Sequence, residues 1–544
     1  MKPVECDILI VGAGPVGLAL AHQLAANGVD TLVLERRSEI VVEPRAVGYD
    51  GECLRMWQSL GMAEEVEQFV HLKIASSYYN ADGKRLFGFN YEGYEPCGYP
   101  LKRSFEQGEM DIYLAGKLSA TENARLWFDH ELVSYEQSGS GIVAEAYDPR
   151  GQPISIKASF LIGCDGGNSK VRELMGSSLS GEANEHPWLV VDTFDSGDCS
   201  GHVTSFFCDP ARPGMTLKVS ENHRRWEWML MPGEHPEDLL QQDKIFELIG
   251  PYTDVDKVEI YRKRVYNFSA VIAEKWQDRR VILAGDAAHM TPPFAGQGLN
   301  AGIRDAYNLA WKLSLVIKGH AGAQLVDSYE AERREHTRKL IQFAVNLGQR
   351  IQPIDPQAAA ERDAFYFALQ KDPDALQEHI TTLGQAQRVR SLDGGAIVSC
   401  DRNAVNGGYL QQPRVRAANG DTALLDGFLG PGFSLVGMNC DPAEELTEEL
   451  LAPWKRLGAQ TLAVWDDASP REGVYDPTGM VRQLFGTQNN VMALVRPDRF
   501  VVAAFDSESA EEALAEAANA LHLVGVGNSR CMKEIKDENG QFQY

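Results

Sequence analysis

The sequence predicts an α/β fold, a parallel sheet flanked by helices, with a sheet-rich lobe inserted into it and a third unit after it. Three observations predict it. The chain opens on strand–helix–strand: Val4 to Val11 is a short β-branched run, Pro15 to Asn27 is rich in Ala and Leu and ends at Gly28, and Val29 to Leu34 is a second apolar run. Two more buried-strand runs, Ser159 to Cys164 and Arg280 to Ala284, lie far along the chain and complete the same sheet. The stretches of about 70–110 and 185–270 mix aromatic and polar residues with frequent Gly and Pro, as antiparallel strands do. Because strands of the first sheet return after them, that lobe is inserted rather than appended. Apolar Ile303, Ala306, Leu309, Ala310, Leu313, Val316 and Ile317 then recur at helical spacing. Helices continue through Ser328 to Gln349, and Gly407-Gly408 and Pro413 read as a linker. The third unit has strands at Phe433 to Gly437, Gln460 to Val464, Val491 to Val495 and Phe500 to Phe505.

Composition narrows the function classes. The chain has 544 residues, 44% hydrophobic and 24% charged, as expected of two or three globular domains. Lys+Arg 52 against Asp+Glu 77 leaves a net charge of −25, which repels phosphate backbones, so no nucleic-acid partner is expected. No apolar run reaches membrane-spanning length and Met1 to Leu9 lacks signal-peptide features, so no membrane partner and a cytoplasmic location are expected. The nine cysteines are odd in number and scattered, without a Cys-x-x-Cys pair. Neither a disulfide framework nor a metal site is expected.

Gly12-x-Gly14-x-x-Gly17 falls between the first strand and the first helix. Gly12 permits the tight turn, Gly14 lets backbone approach a pyrophosphate, and Gly17 permits close helix–strand packing. Pro15 opens a helix whose free N–H groups face the phosphates. Glu35, 23 positions beyond Gly12, has the spacing of an acid that binds adenosine ribose hydroxyls, with Arg36 beside it. This is a Rossmann-like dinucleotide site, and the pattern alone does not separate FAD from NAD. A second segment does. Gly285-Asp286-Ala287-Ala288-His289 follows a buried strand and leads through Pro292-Pro293 to Gly296-Gln297-Gly298-Leu299-Asn300 at the start of a long helix. An Asp at a strand end can hold a sugar-chain hydroxyl, and a helix N-terminus favours the negative charge of a reduced flavin.

With these segments the sequence resembles the single-component flavin-dependent aromatic hydroxylases, typified by para-hydroxybenzoate hydroxylase. The resemblance implies FAD as cofactor and NADPH or NADH as co-substrate. Gly285, Asp286, Pro293 and the Gly296–Asn300 loop, with Gly298 and Leu299, would hold the flavin. Gly163-Cys164-Asp165-Gly166 with Ser169 and Arg172 matches a third segment of that family, used for FAD and NAD(P)H. Pro44-Arg45-Ala46 resembles the segment whose arginine contacts FAD; the alternative for Arg45 is a solvated surface residue. Gln107 falls where family members place a Gln or Arg beside the cofactor, although the surrounding sequence differs.

Pro44–Glu52 and the third unit resemble the subgroup of hydroxyphenylpropionate, phenol and polyketide hydroxylases. In that subgroup the C-terminal domain is thioredoxin-like. Tyr475–Gly479 and Val491–Asp498 match it, but Cys440 has no second cysteine near it, so no redox role is expected. The implied organisation is an FAD-binding domain at 1–70, 100–180 and 270–350, a substrate lobe at 71–99 and 181–269, a helical segment and linker at 351–415, and a thioredoxin-like domain at 416–544. The implied activity is hydroxylation of a small phenolic substrate with O₂ and NAD(P)H through a flavin C4a-hydroperoxide, ortho to the existing hydroxyl. The competing readings are a halogenase or dehydrogenase and a non-catalytic flavin sensor, in a monomer or homodimer.

His289 and Arg45 are the catalytic candidates, with a structural role for His289 the stronger alternative because it lies in the flavin segment. Trp226 and Trp228 share one strand face and either line the substrate cavity or pack the core. Tyr261, Arg262 and Arg264 are equally ambiguous, and no base in the lobe stands out.

Overall fold

The computed structural model describes residues 3–43, 45–183, 186–195, 204–384, 387, 391–468 and 471–526. Pro44, Cys199, Val203 and Cys531 lie outside them. The chain forms two compact units. The first comprises Met1–Glu95, Tyr99–Tyr307 and Arg334–Arg388; the second comprises Pro96–Gly98, Asn308–Arg333 and Val389–Tyr544. Asn308–Arg333, inside the stretch assigned from sequence to the FAD-binding domain, thus belongs with the C-terminal residues.

In the first unit a six-stranded sheet runs in the order Gln277–Asp278, Val281–Leu283, Phe160–Gly163, Ile8–Val11, Thr31–Leu34, Ala124–Trp127. All neighbours are parallel except the first pair. The central strands are buried along their whole length, which is why they read as unbroken apolar runs. The expected Val4–Val11 strand is divided. Val4–Glu5 pairs with Pro153–Ala158 in a separate four-stranded sheet, and the Asp7 carboxylate accepts from the Asp30 N–H at 3.0 Å between the two pieces. Helix Pro15–Ala26 packs its Gly17, Leu18, Ala21 and Leu24 inward.

The same unit holds a seven-stranded sheet: Val258–Tyr266, Trp188–Asp195, His223–Met229, Gly214–Lys218, Thr204–Cys208, Ser76–Asn80, Arg85–Phe89. Every pairing is antiparallel except Thr204–Cys208 with Ser76–Asn80. Its two faces differ. One carries Leu189, Val191, Trp226 and Trp228, packed on Leu239, Ile245 and Ile249 of two short helices. Residues one position along each strand face the other way.

The second unit holds a sheet in which Ser434–Met438 lies parallel to Gln460–Trp465 and antiparallel to Val491–Val495, which pairs antiparallel with Val501–Phe505. Helix Glu448–Arg456 connects the first two strands and Ala510–Ala520 follows the last. This is the thioredoxin-like order. Gly407 and Gly408 do not form a loose connection: both are buried, and the Gly407 N–H donates to Val501 O at 2.8 Å. Arg496 grips Glu332 with two bonds of 2.8 Å, and Lys312 Nζ adds one of 2.9 Å. These side chains are fully buried, so each charge must be met by the others.

Candidate functional site

A cavity of about 770 Å³ opens in the first unit between the glycine-bearing loops and the second face of the seven-stranded sheet. Its cradle side is mostly backbone. Gly12 has φ +105°, and a Cβ there would stand 2.5 Å from Cys164 O. Gly17 does not face the cavity: a Cβ would stand 2.0 Å from Gly12 O, so its bareness serves the packing of helix on loop. Gly14 and Gly298 have nothing within 4 Å of a Cβ, and both line the cavity at the starts of helices Pro15–Ala26 and Gly298–Ile317. Two sets of first-turn N–H groups therefore border a space wide enough for a phosphate-bearing, flat-ringed ligand. The residues present fit FAD.

Pro15, Glu35, Arg36, Arg45, Gln107, Asp165, Asp286, Pro293, Gly296 and Leu299 line the same cavity. Glu35 accepts from the Ala13 N–H at 3.0 Å, which ties the second strand's acid to the glycine loop. Gln107 Oε1 accepts from the N–H groups of Arg45 and Ala46 at 3.0 and 2.8 Å, holding that segment against helix Gln107–Ser119. The Asp165 carboxylate accepts from Ser169 Oγ at 2.5 Å and Lys170 N at 2.6 Å, and so caps a short helix. Arg172 of that helix donates to Ala287 O at 3.0 Å, joining it to the Gly285–Ala287 turn. Burial pushes the Asp286 carboxyl up from its ordinary value, with His289 and Arg45 opposing.

Besides Gly17, four expected site residues lie elsewhere. The Asn300 side chain is buried and turned to another strand, accepting from Asp50 N at 2.9 Å and donating to Gly48 O at 3.0 Å. His289 is fully buried, with Nε2 2.7 Å from Asp305 Oδ2 and its ring against Trp276 at 5.1 Å. Asp305 also accepts from the Gly285 N–H at 3.1 Å, so His289 braces the turn and is no base in the cavity. Trp226 and Trp228 stack on each other at 5.7 Å on the helix-covered face of the sheet, which corrects their assignment to the substrate cavity. Strand parity is the reason: the cavity takes Arg225 and Glu227.

The sheet's cavity face is arranged in transverse rows. In one, Arg264, Val190, Glu227, Met215, Phe206 and Tyr78 are successive cross-strand partners, and all line the cavity. In the next, Arg262, Asp192, Arg225, Leu217 and Thr204 follow the same order. Asp192 is the hub of that row. It accepts from Arg225 Nε and Nη2 at 2.8 and 2.9 Å and from Arg262 Nη1 at 2.9 Å, and His223 Nε2 lies 3.2 Å away. Burial of Asp192 is outweighed by Arg225 and His223, which hold its carboxyl well below the usual carboxylate range. For His223, burial opposes the charge, but hydrogen bonds with Asp192 and Glu106 raise it to about 9. Arg225 Nη1 also donates to Arg45 O at 2.8 Å, which links the sheet to the segment beside the cradle.

Two buried carboxyls on the cavity wall escaped sequence reading. Burial pushes Asp111 up to about 7 despite the Gln107 hydrogen bond and Arg45. Glu227 is 4% exposed, and burial, with Asp192 adding, raises it to about 7 against Arg225 and Arg262. The available signal was the run His223–Met229, in which charged and aromatic residues alternate along a strand flanked by apolar ones.

Residues 5–344 match the family described as FAD binding domain, and residues 407–520 match the HcaD C-terminal domain. The 3-(3-hydroxy-phenyl)propionate/3-hydroxycinnamic acid hydroxylase of Comamonas testosteroni is 33% identical, over 95% of this chain and 97% of its own. This chain belongs to the FAD-dependent aromatic hydroxylases. The enzyme of the same name from Shigella sonnei (strain Ss046) is 34% identical over 91% of both chains. Among solved structures, the flavin-dependent monooxygenase PieE, in complex with FAD and substrate, superposes with TM-score 0.78 at 22% identity, covering 96% of this chain and all of that one. Aklavinone-11 hydroxylase with FAD and aklavinone gives 0.77 at 24%, covering 95% of this chain and all of that one; both show the fold. The hydroxylase cofactor is FAD. Among the described residues no helix is long and apolar enough to cross a membrane, and no His/Cys/Asp/Glu cluster could hold a metal.

Proposed function

We propose that this hydroxylase acts on a phenol bearing a short acidic side chain, of 3-hydroxyphenylpropanoate size, and places the new hydroxyl beside the first. The observation that carries the reading is a single cavity with two unlike walls, a backbone cradle that fits FAD and a sheet face with an apolar row and cationic residues. The relatives' names point to the same substrate class. When bound, FAD would supply the redox chemistry, taking reducing equivalents from NAD(P)H and activating O₂ for transfer of one oxygen to an electron-rich ring.

The chain's own residues do the rest. The glycine loop, Glu35, Arg36 and Arg45 hold the dinucleotide, and Asp286 with the Pro293–Leu299 segment holds the flavin end. Val190, Met215 and Phe206 give an apolar seat to the ring and exclude water. Arg225 and Arg262 are engaged by Asp192, whereas Arg264 has no ion pair among the described residues and suits the substrate carboxylate. The part of the first unit built on the seven-stranded sheet is thus read as the substrate-binding lobe. The thioredoxin-like unit takes no redox step: Cys440 is buried and its thiol is pushed up to about 11 by that burial.

The test is NAD(P)H oxidation in the presence of 3-hydroxyphenylpropanoate, with product mass and ring position determined. One added oxygen ortho to the hydroxyl is expected. Equal hydroxylation of the analogue lacking the phenolic hydroxyl would overturn the electrophilic mechanism.

A further inference from the structure

We propose that Glu227 is the base that takes the phenolic proton of the substrate. The inference rests on the hydroxylase reading above and names the residue that makes the ring electron-rich. Glu227 lies in the third of the seven strands, His223–Met229, with Val190 and Met215 as its cross-strand partners. It lines the cavity at 4% exposure, and its Oε2 has no hydrogen-bond partner among the described residues. A buried carboxylate oxygen without a donor is costly, and a phenol O–H in the cavity is the donor that would satisfy it.

The row geometry gives this contact a direction. Arg264 is two strands from Glu227 along the same row, roughly 10 Å at ordinary strand spacing. A meta-hydroxyphenyl ring with a short acidic chain can span the two, its hydroxyl at Glu227 and its carboxylate toward Arg264. The apolar partners between and beside them face the ring.

The charges facing Glu227 are Arg225 on its own strand, Asp192 on Trp188–Asp195, and Arg262 and Arg264 on Val258–Tyr266. The strand Gly214–Lys218 presents only Met215 and Leu217 on that face. Asp192 neutralises much of the arginine charge, so burial dominates and Glu227 ionises at about 7. The phenolic proton moves to the Glu227 carboxylate, leaving a phenolate on the ring and a neutral acid on the protein. Release of that proton to solvent resets the site. A base of this strength works near neutral pH, where it is both ionised and able to accept a proton.

The test uses the FAD-loaded full chain. Glu227→Gln keeps shape and removes the base. It is expected to lower kcat for 3-hydroxyphenylpropanoate by about 100-fold or more, with FAD content and substrate KM nearly unchanged. The rise of kcat with pH through about 7 should disappear in the variant and persist in Glu227→Asp. A ring-fluorinated analogue with a more acidic phenol should recover much of the lost rate. A nitrophenol analogue bound at neutral pH should absorb as phenolate in the wild type and as phenol in the variant.

Wild-type rate and pH profile in Glu227→Gln, with the wild type making the hydroxylated product, would overturn the inference alone. No substrate-stimulated NAD(P)H oxidation in the wild type would overturn the functional reading instead. If Glu227→Gln does not fold, the pH profile decides: a limb near 7 that persists in Asp111→Asn and stays put as the phenol's acidity changes supports Glu227, and one that tracks the phenol or vanishes in Asp111→Asn overturns it.

Discussion

The two walls of the cavity are made differently. At the cradle, Gly12, Gly14 and Gly298 present backbone, and helix starts supply the polar groups. On the sheet, Arg264, Glu227, Arg225 and Arg262 present side chains whose direction depends on strand register and pleat. At Gly12, and at Gly17 behind it, there is no room for even a Cβ, whereas a side-chain wall tolerates exchange of atoms as long as its charges remain met. That contrast orders the effects of substitution.

The hardest blow falls just behind the cradle, where helix packs on loop. Gly17→Val would put side-chain carbon into Gly12 O, which a Cβ already approaches to 2.0 Å. Loss of nearly all FAD-loaded folded protein is expected, read as flavin absorbance per mole of purified chain. Full occupancy would show that the loop moves freely.

On the side-chain wall, the largest effect comes from the hub. Asp192→Ala leaves Arg225, Arg262 and His223 without their shared carboxylate. A loss of roughly 3–5 kcal/mol is expected by thermal or denaturant unfolding, and Asp192→Asn should lose less because it keeps part of the hydrogen bonding.

Asp286→Ala sharpens the contrast, since it removes one side chain from a backbone-built wall. Loss of a charge-assisted hydrogen bond of roughly 1.5–3 kcal/mol predicts FAD binding weakened by about one to two orders of magnitude. Fluorescence titration with FAD measures it, and unchanged affinity would remove Asp286 from the site.

Smaller still is the pH dependence held by His223. Its folded value of about 9 exceeds the ordinary 6.5, so its contribution is complete below about 6.5 and lost as pH rises through about 9. The stability difference between wild type and His223→Gln should therefore shrink across that window. A constant difference would mean that His223 is not charged in the fold.

Least affected should be catalysis in Trp228→Phe. The ring packs on Trp226 and the helices behind the sheet, so kcat and KM should stay within about twofold while stability falls by about 1 kcal/mol. A large change in KM for the aromatic substrate would show that this face reaches the cavity after all.

The cradle was legible in the chain's local patterns. Glycine spacing, the strand before it, the acid after it and the Gly285–Asn300 segment are local features, because tight turns and helix starts are short-range structures. Most of those residues line one cavity, although Gly17 and Asn300 serve packing beside it. The strands of the second unit were legible too, from apolar runs buried on both faces, while their thioredoxin-like fold was implied by the resemblance. Which face of His223–Met229 lines the cavity could be read only from the fold. Period-2 alternation placed Trp226 and Trp228 together and Arg225 and Glu227 together, but it is symmetric between the two faces. The helices that cover the tryptophans, and the strands that set Val190 and Met215 beside Glu227, broke that symmetry. Burial against distant chain, rather than any local pattern, made a glutamate in a strand a group that ionises near neutral pH.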